Sequence, residues 1–361
     1  MSRFPILLLG LLSPAMALAQ TPPAAPRPPA PDPIDMVDVS ARLASAPQAK
    51  ISNGQISATV LLPDAKAGFY RGTRFDWAGL ISSLTVHGQP IYGTWFEQIA
   101  PNVRDFVWFK GKVVSGPNTA VLGPVDAYDA SGPESWALAA PGGAFLKIGV
   151  GLLRKPEDGA AYSSFKTYEL IDGGKWTTHS ARDHVTFEQV VQSKDGLYGY
   201  VYKKTLRLVP GKPELLIEHS LKNTGSKALK TTSFNHNFLT LAGDPTADGL
   251  SLKTGFQIIN GRTLRDVADV NGDQLTYQRT LNPEEVLSTP ITGFESTPSN
   301  YDFTLTNRSG AGYRVQSDQP LSALTLWSIK PTVAAEPFIT LDIPVGATKS
   351  WTFHYSYLAA H

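Results

Sequence analysis

The stretch TSFNHNFLTLAGDP, residues 232–245, sets one histidine between two asparagines and two phenylalanines and then turns at Gly-Asp-Pro. Read as a strand, it places Thr232, Phe234, His236, Phe238 and Thr240 on one face, because successive side chains of a strand point to opposite sides. That face joins aromatic surface to a group able to give or take a proton. On residue chemistry alone, His236 is as readily a hydrogen-bonded core histidine as a proton-transfer group. The other six histidines, at 87, 179, 184, 219, 354 and 361, show no i, i+4 pair that would put two metal ligands on one helical turn. A metal site assembled from distant strands stays open at this point. No G-x-S-x-G elbow and no H-E-x-x-H helix are present. GVGLLR, residues 149–154, has two glycines of a dinucleotide loop but no helix after it. DVNGDQ, residues 269–274, has its glycine too early for a calcium loop and reads as an Asn-Gly hairpin turn.

The elements that must position such groups are strands. QISATVLLP, FLKIGVGLL, YGYVYKKTLRLV, ELLIEHSLKN and KSWTFHYSYL are short β-branched and aromatic runs divided by Gly, Pro, Asn and Asp. In the third run Tyr200, Tyr202, Lys204, Leu206 and Leu208 share a face, opposite Val201, Lys203, Thr205, Arg207 and Val209. No segment sustains a long helical period, and no repeat of fixed length argues for a propeller. The chain is therefore expected to be nearly all β, one large sandwich over residues 51–361.

Composition narrows the classes further. Of 361 residues, 42% are hydrophobic and 17% charged, enough to build a large core. A formal charge of +1 gives no general pull toward nucleic acid or an anionic membrane. There is no cysteine, which removes disulfides, thiolate metal sites and a cysteine nucleophile. The start MSRFPILLLGLLSPAMALAQ has Arg3, an apolar run from Phe4 to Leu12 and the small-x-small triplet Ala17-Leu18-Ala19. It reads as a signal peptide over residues 1–19, with an exported product that inserts no span in the membrane and is periplasmic if the cell is Gram-negative. Residues 20–50 open with seven prolines between Pro22 and Pro33 and read as a flexible leader.

NHNFLTLAG, through Asn235, His236, Phe238, Leu239, Ala242 and Gly243, resembles the signature of the galactose mutarotase (aldose 1-epimerase) superfamily. YKKTLRLVPGKPELLIEHSLKNTGSKAL resembles the strand pair that leads into that histidine, and SNGQISATVLLP through GLISSLTVHG its opening strands. AAEPFITLDIPVGATKSWTFHYSY resembles its terminal glutamate segment and last strand. The resemblance covers most of Ile51 to Tyr357 and implies a large antiparallel β-super-sandwich. It also implies a carbohydrate substrate, with His236 as general acid and Glu336 as general base, and neither metal nor cofactor.

The first half departs from that pattern. The family's Asn-Arg pair and second histidine have no recognisable counterpart, and His87, which reads as a turn residue, does not replace the latter. GFYRGTRFDW, TWFEQ and GPVDAY stand there instead. They offer Arg71, Arg74, Asp76, Trp77, Glu97 and Asp126 as candidate sugar contacts, and Asn235 joins them from the motif. Trp77 and Trp95 suit stacking on a pyranose, and the acids suit hydroxyl hydrogen bonds. The same residues serve equally as core aromatics and local ion pairs. An Arg71 or Arg74 aimed unpaired into the cleft would favour an acidic sugar, and an oligomeric one is a further candidate. Lys147, in an apolar run, is expected to snorkel to solvent. The competing readings are a lyase or hydrolase of glycosides on the same fold, and a noncatalytic carbohydrate-binding protein.

Overall fold

A computed structural model describes residues 32–243, 246–260, 264 and 266–360. The expected signal segment and the first part of the proline-rich leader lie outside the described residues. Alternation of apolar and polar positions governs nearly every element, so the described chain is dominated by antiparallel strands gathered in sheets of ten, six, four, four and three. Within those residues no helix is long and apolar enough to cross a membrane.

Two sheets form the sandwich. The six-stranded sheet runs, in spatial order, Ile259–Asn260, Leu287–Thr292, Ala323–Ile329, Thr332–Ile343, Leu229–Phe238 and Gly123–Tyr128. The ten-stranded sheet has at its middle the strands Gly199–Leu208, Glu214–Asn223 and Thr348–Leu358. The face read from the sequence is the buried one: Tyr200, Tyr202, Lys204, Leu206 and Leu208 are at most 1% exposed, and Lys203 is exposed on the other side. Trp351, Phe353, Tyr355 and Tyr357 continue that face on the C-terminal strand and join one apolar core.

Described secondary structure begins earlier than residue 51. Asp38 caps a helix over Val39–Ser45 by accepting from Ala41 N, Val39 is 2% exposed, and Gln48–Ser52 pairs with Ile56–Leu61. The boundary expected between residues 50 and 51 falls inside a strand, because the prolines end at Pro33 and the residues after them can donate to a ladder. The 269–274 hairpin forms with Gly272 and Asp273 as its turn and Asn271 paired to Gln274, one residue later than an Asn-Gly turn; Gly272 supplies the positive φ of 63°.

Candidate active site

Strand Leu229–Phe238 lies between Thr332–Ile343 and the edge strand Gly123–Tyr128 of the six-stranded sheet, and its alternation sends two chemistries to opposite faces. On its outer face stand Phe234, His236 and Phe238. Its register with Thr332–Ile343 pairs Phe234 with Phe338 and resumes at Leu239 with Val333, so His236 stands directly across from Glu336. Pro337 has no N–H for the ladder at this point, and the Asn237 side chain donates to the Ala335 carbonyl instead, at 2.9 Å.

His236 Nε2 lies 2.7 Å from Glu336 Oε1, with the two side chains 6% and 13% exposed. A carboxylate only accepts, so Nε2 carries the hydrogen. Phe238 stacks on the imidazole at 3.7 Å between centroids and 5° between planes. Phe75 meets it edge-on at 6.0 Å and Trp327 at 5.5 Å. Nδ1 is buried without a hydrogen-bond partner among the described residues. The ring is held by stacking on Phe238 and by two edge contacts, and its Nε2 is the nitrogen bonded to Glu336. Among the aromatic residues nearby, Phe106, Trp327 and Phe338 are half-buried and leave aromatic surface accessible. The two residues that the family resemblance implies as acid and base stand together, although 100 residues of chain separate His236 from Glu336.

The expected sugar wall divides. Arg74 comes to the site: its guanidinium lies 4.7 Å from the Phe75 ring centroid and 4.5 Å from that of Phe165. Arg71 is exposed and donates to the Lys66 carbonyl within its own loop. Glu97 is exposed and accepts from Val113 N, binding strand to strand. Trp77 is 3% exposed with Nε1 donating to the Gly72 carbonyl, so it is core. Trp95 is core as well, stacked on Phe238 at 5.1 Å.

Asp76, Asp126 and Asn235 lie on the other side of the sheet, where no sugar reaches them: each is at most 1% exposed. Asp126 pairs in register with Asn235 on the inner face and accepts from its Nδ2 at 2.9 Å. Lys204 Nζ sits 2.6 Å from Asp126 and 3.2 Å from Asp76, and His219 Nε2 is 2.9 Å from Asp126. Tyr355 donates to Asn235 Oδ1 at 2.7 Å and Tyr202 to Asp76 at 2.9 Å. Their sequence positions suit sugar contacts, but strand alternation turns Asn235 and Asp126 inward, where they bridge the sheets. Burial alone would raise Asp126, yet Lys204 and His219 hold it well below the usual carboxylate range. Burial raises Asp76 and the Asp126 charge adds to that, while Lys204 opposes it; the balance stays upward. Burial pulls Lys204 down, but the two aspartates win and raise it.

Neighbouring residues of one loop serve both sides. Phe75 meets His236 while Asp76 enters the ionic cluster, with Asp76 N bonded to the Asp126 carbonyl and Trp77 N to the Gly149 carbonyl. Gly149 has φ 76°, and a Cβ there would lie 2.7 Å from Asp76 Oδ1. Gly149→Ala is expected to destabilise the protein by roughly 1–3 kcal/mol from backbone strain alone, with displacement of Asp76 adding to it; an unchanged melting temperature would contradict this.

Lys147 departs from its expected snorkelling. It is 1% exposed and donates to the carbonyls of Tyr128 and Asp129 and to Tyr162 Oη. Burial pushes its pKa down to about 8, with Asp129 opposing and Arg74 reinforcing the shift. Backbone acceptors inside the fold replace the water that snorkelling would have sought. Phe75, Phe165 and Trp327 are the site residues that the sequence reading missed. The period-two pattern of ALTLWSI, with Trp327 two residues from Thr325 opposite Glu336, was the available signal for the last.

Comparison with protein-family models and with curated proteins returned no match to this sequence. Solved structures do match. A candidate aldose 1-epimerase from Escherichia coli K12 aligns at TM-score 0.52 and 11% identity, over 87% of this chain and 99% of its own. A galactose mutarotase-like protein from Lactobacillus casei aligns at TM-score 0.47 and 13% identity, over 86% and 99%. The fold is the galactose mutarotase-like β-sandwich, the one that the NHNFLTLAG motif implied.

Proposed function

We propose that this chain is an exported sugar isomerase that interconverts anomers, with His236 and Glu336 as its proton-transfer pair. The observation that carries the reading is their 2.7 Å contact on the outer face, walled by aromatic rings. Anomer exchange needs a proton taken from the C1 hydroxyl and another delivered to the ring oxygen. Glu336 accepts the first. His236 supplies the second as the bond between C1 and the ring oxygen breaks. Rotation of the aldehyde and return of both protons close the ring with either configuration, and the two side chains end in their starting states. The chemistry itself calls for no metal or redox group. Half-buried Trp327 and Phe106 suit the apolar face of a pyranose.

The acid and base are bonded to each other, His236 Nε2 to Glu336 Oε1. Sugar binding must therefore replace the contact between Nε2 and Oε1 with one bond from each group to the substrate.

The test is the decay of optical rotation of freshly dissolved α-D-glucose and α-D-galactose. Acceleration above the buffer rate is expected for at least one neutral or modified aldose. Saturable binding without acceleration would point to a noncatalytic sugar-binding protein, and bond cleavage of a glycoside to a lyase or hydrolase. Export is part of the same proposal: N-terminal sequencing of the mature protein is expected to begin at Gln20, and a product beginning at Met1 would refute it.

A further inference from the structure

Arg74 contrasts with several partly or fully buried cations among the described residues. Lys204 sits between two aspartates, Lys147 and Lys155 donate to backbone carbonyls, and Arg279 grips Asp266 and Glu285 through paired hydrogen bonds. The Arg74 guanidinium makes no hydrogen bond among the described residues. Its ionic contact is to Asp105 at 3.9 Å, the outer limit of such a pair, with that carboxylate 39% exposed and also accepting from Thr119. The side chain is nevertheless only 16% exposed. Two ring faces, Phe75 and Phe165, hold the planar group, and Arg104 lies over the same Phe165 ring at 5.7 Å. Stacking fixes a guanidinium's orientation and leaves its in-plane N–H groups for a ligand.

The position relates this group to the proton-transfer pair. The Phe75 ring is approached by the Arg74 guanidinium at 4.7 Å from its centroid and by the His236 ring edge-on at 6.0 Å. Arg74 and His236 thus share Phe75 as a neighbour, which sets the guanidinium beside the wall of the proton-transfer site. Arg74 also pulls the buried amine of Lys147 downward, which places its positive field inside the fold where water screens little.

We propose that the substrate is a sugar bearing an anionic group, a carboxylate or a phosphate, which Arg74 receives through paired hydrogen bonds in place of its long contact to Asp105. The inference rests on the isomerase reading and names the substrate class for that site. A guanidinium fork matches the two oxygens of a carboxylate or phosphate, whereas a neutral hydroxymethyl group leaves most of its donors unused.

The experiment compares catalysed mutarotation of D-galacturonate and D-glucuronate with that of D-galactose and D-glucose, and includes D-glucose 6-phosphate. In the wild type, kcat/KM for the uronates or for the phosphate should exceed that for the neutral sugars, and whichever is preferred identifies the anionic group. Arg74→Gln should lower that preference ratio about 10- to 100-fold, the range for a hydrogen bond to a charged group. Arg74→Lys, which keeps the charge and loses the fork, should fall between. Melting curves of the variants verify that they fold, and the ratio cancels any loss of active protein. Equal catalysis of neutral and anionic sugars, or a ratio unaltered by Arg74→Gln, overturns the inference and leaves the isomerase reading intact. If no sugar is turned over, the isomerase reading fails, and calorimetric titration with the same anions decides the remainder. Binding weakened by Arg74→Gln supports the anion site, and no binding overturns it.

Discussion

Glu336→Gln should fold like the wild type and lose roughly 10²- to 10⁴-fold in catalysed mutarotation, the contribution of one positioned acid or base. The amide is nearly the same size and can still accept the hydrogen from His236 Nε2 through its oxygen, so the 2.7 Å contact and the stacking of Phe238 on the imidazole have no reason to disperse. The amide cannot take up a proton from the C1 hydroxyl. His236→Ala should lose as much and also opens a cavity among Phe75, Phe238 and Trp327, so its melting temperature should fall where that of Glu336→Gln does not. The double variant should be little worse than either single one, because both groups act on one proton-transfer event and their effects do not add. Full activity in a folded Glu336→Gln protein would remove Glu336 as the base.

The face on which His236 stands is legible because that signal is local, whereas its pairing with Glu336 comes from the family resemblance and from no local pattern. The run NHNF has a period of two, and a strand with that period puts His236 with Phe234 and Phe238 whatever surrounds it. The Glu-Pro dipeptide marks a place where a ladder must break, and the ladder breaks there beside the histidine. The sugar wall was not legible, because a strand's period assigns residues to a face without saying which face is outside. Asp126 and Asn235 fall together on the face opposite His236, and only the packing of the second sheet shows that face to be interior. Lys204 was placed correctly among Tyr200, Tyr202, Leu206 and Leu208 in its strand. Its burial follows from partners 78 and 128 positions away, Asp126 and Asp76, which no local pattern relates to it. Loop GFYRGTRFDW mixes the two cases: one of its arginines is on the surface, the other is at the site, and Asp76 is in the core.

Lys204→Met should be the most damaging single change in the interior, costing about 3–5 kcal/mol, because breaking a buried ion pair leaves uncompensated charge. Here two carboxylates would remain, Asp76 and Asp126, with the His219 imidazole as the nearest titratable partner. Urea unfolding measures the loss. Adding Asp126→Asn to Lys204→Met should recover part of it, since the amide keeps its place beside Asn235 and His219 without the charge; no recovery would mean that Lys204 acts chiefly by packing. The same cluster fixes a pH dependence. Asp126 is held below its ordinary value, so its contribution to stability is fully present above about pH 4, the unfolded aspartate value. It is lost as pH falls from there toward the lower native value. Asp76 is raised, has the opposite sign, and takes its proton first within the fold. Wild-type stability should therefore decline below about pH 4 more steeply than that of Asp126→Asn, which lacks this term. Parallel acid profiles for the two proteins would show that Asp126 is not ionised in the native cluster, and the charge balance between the sheets would then rest on Asp76 and Lys204 alone.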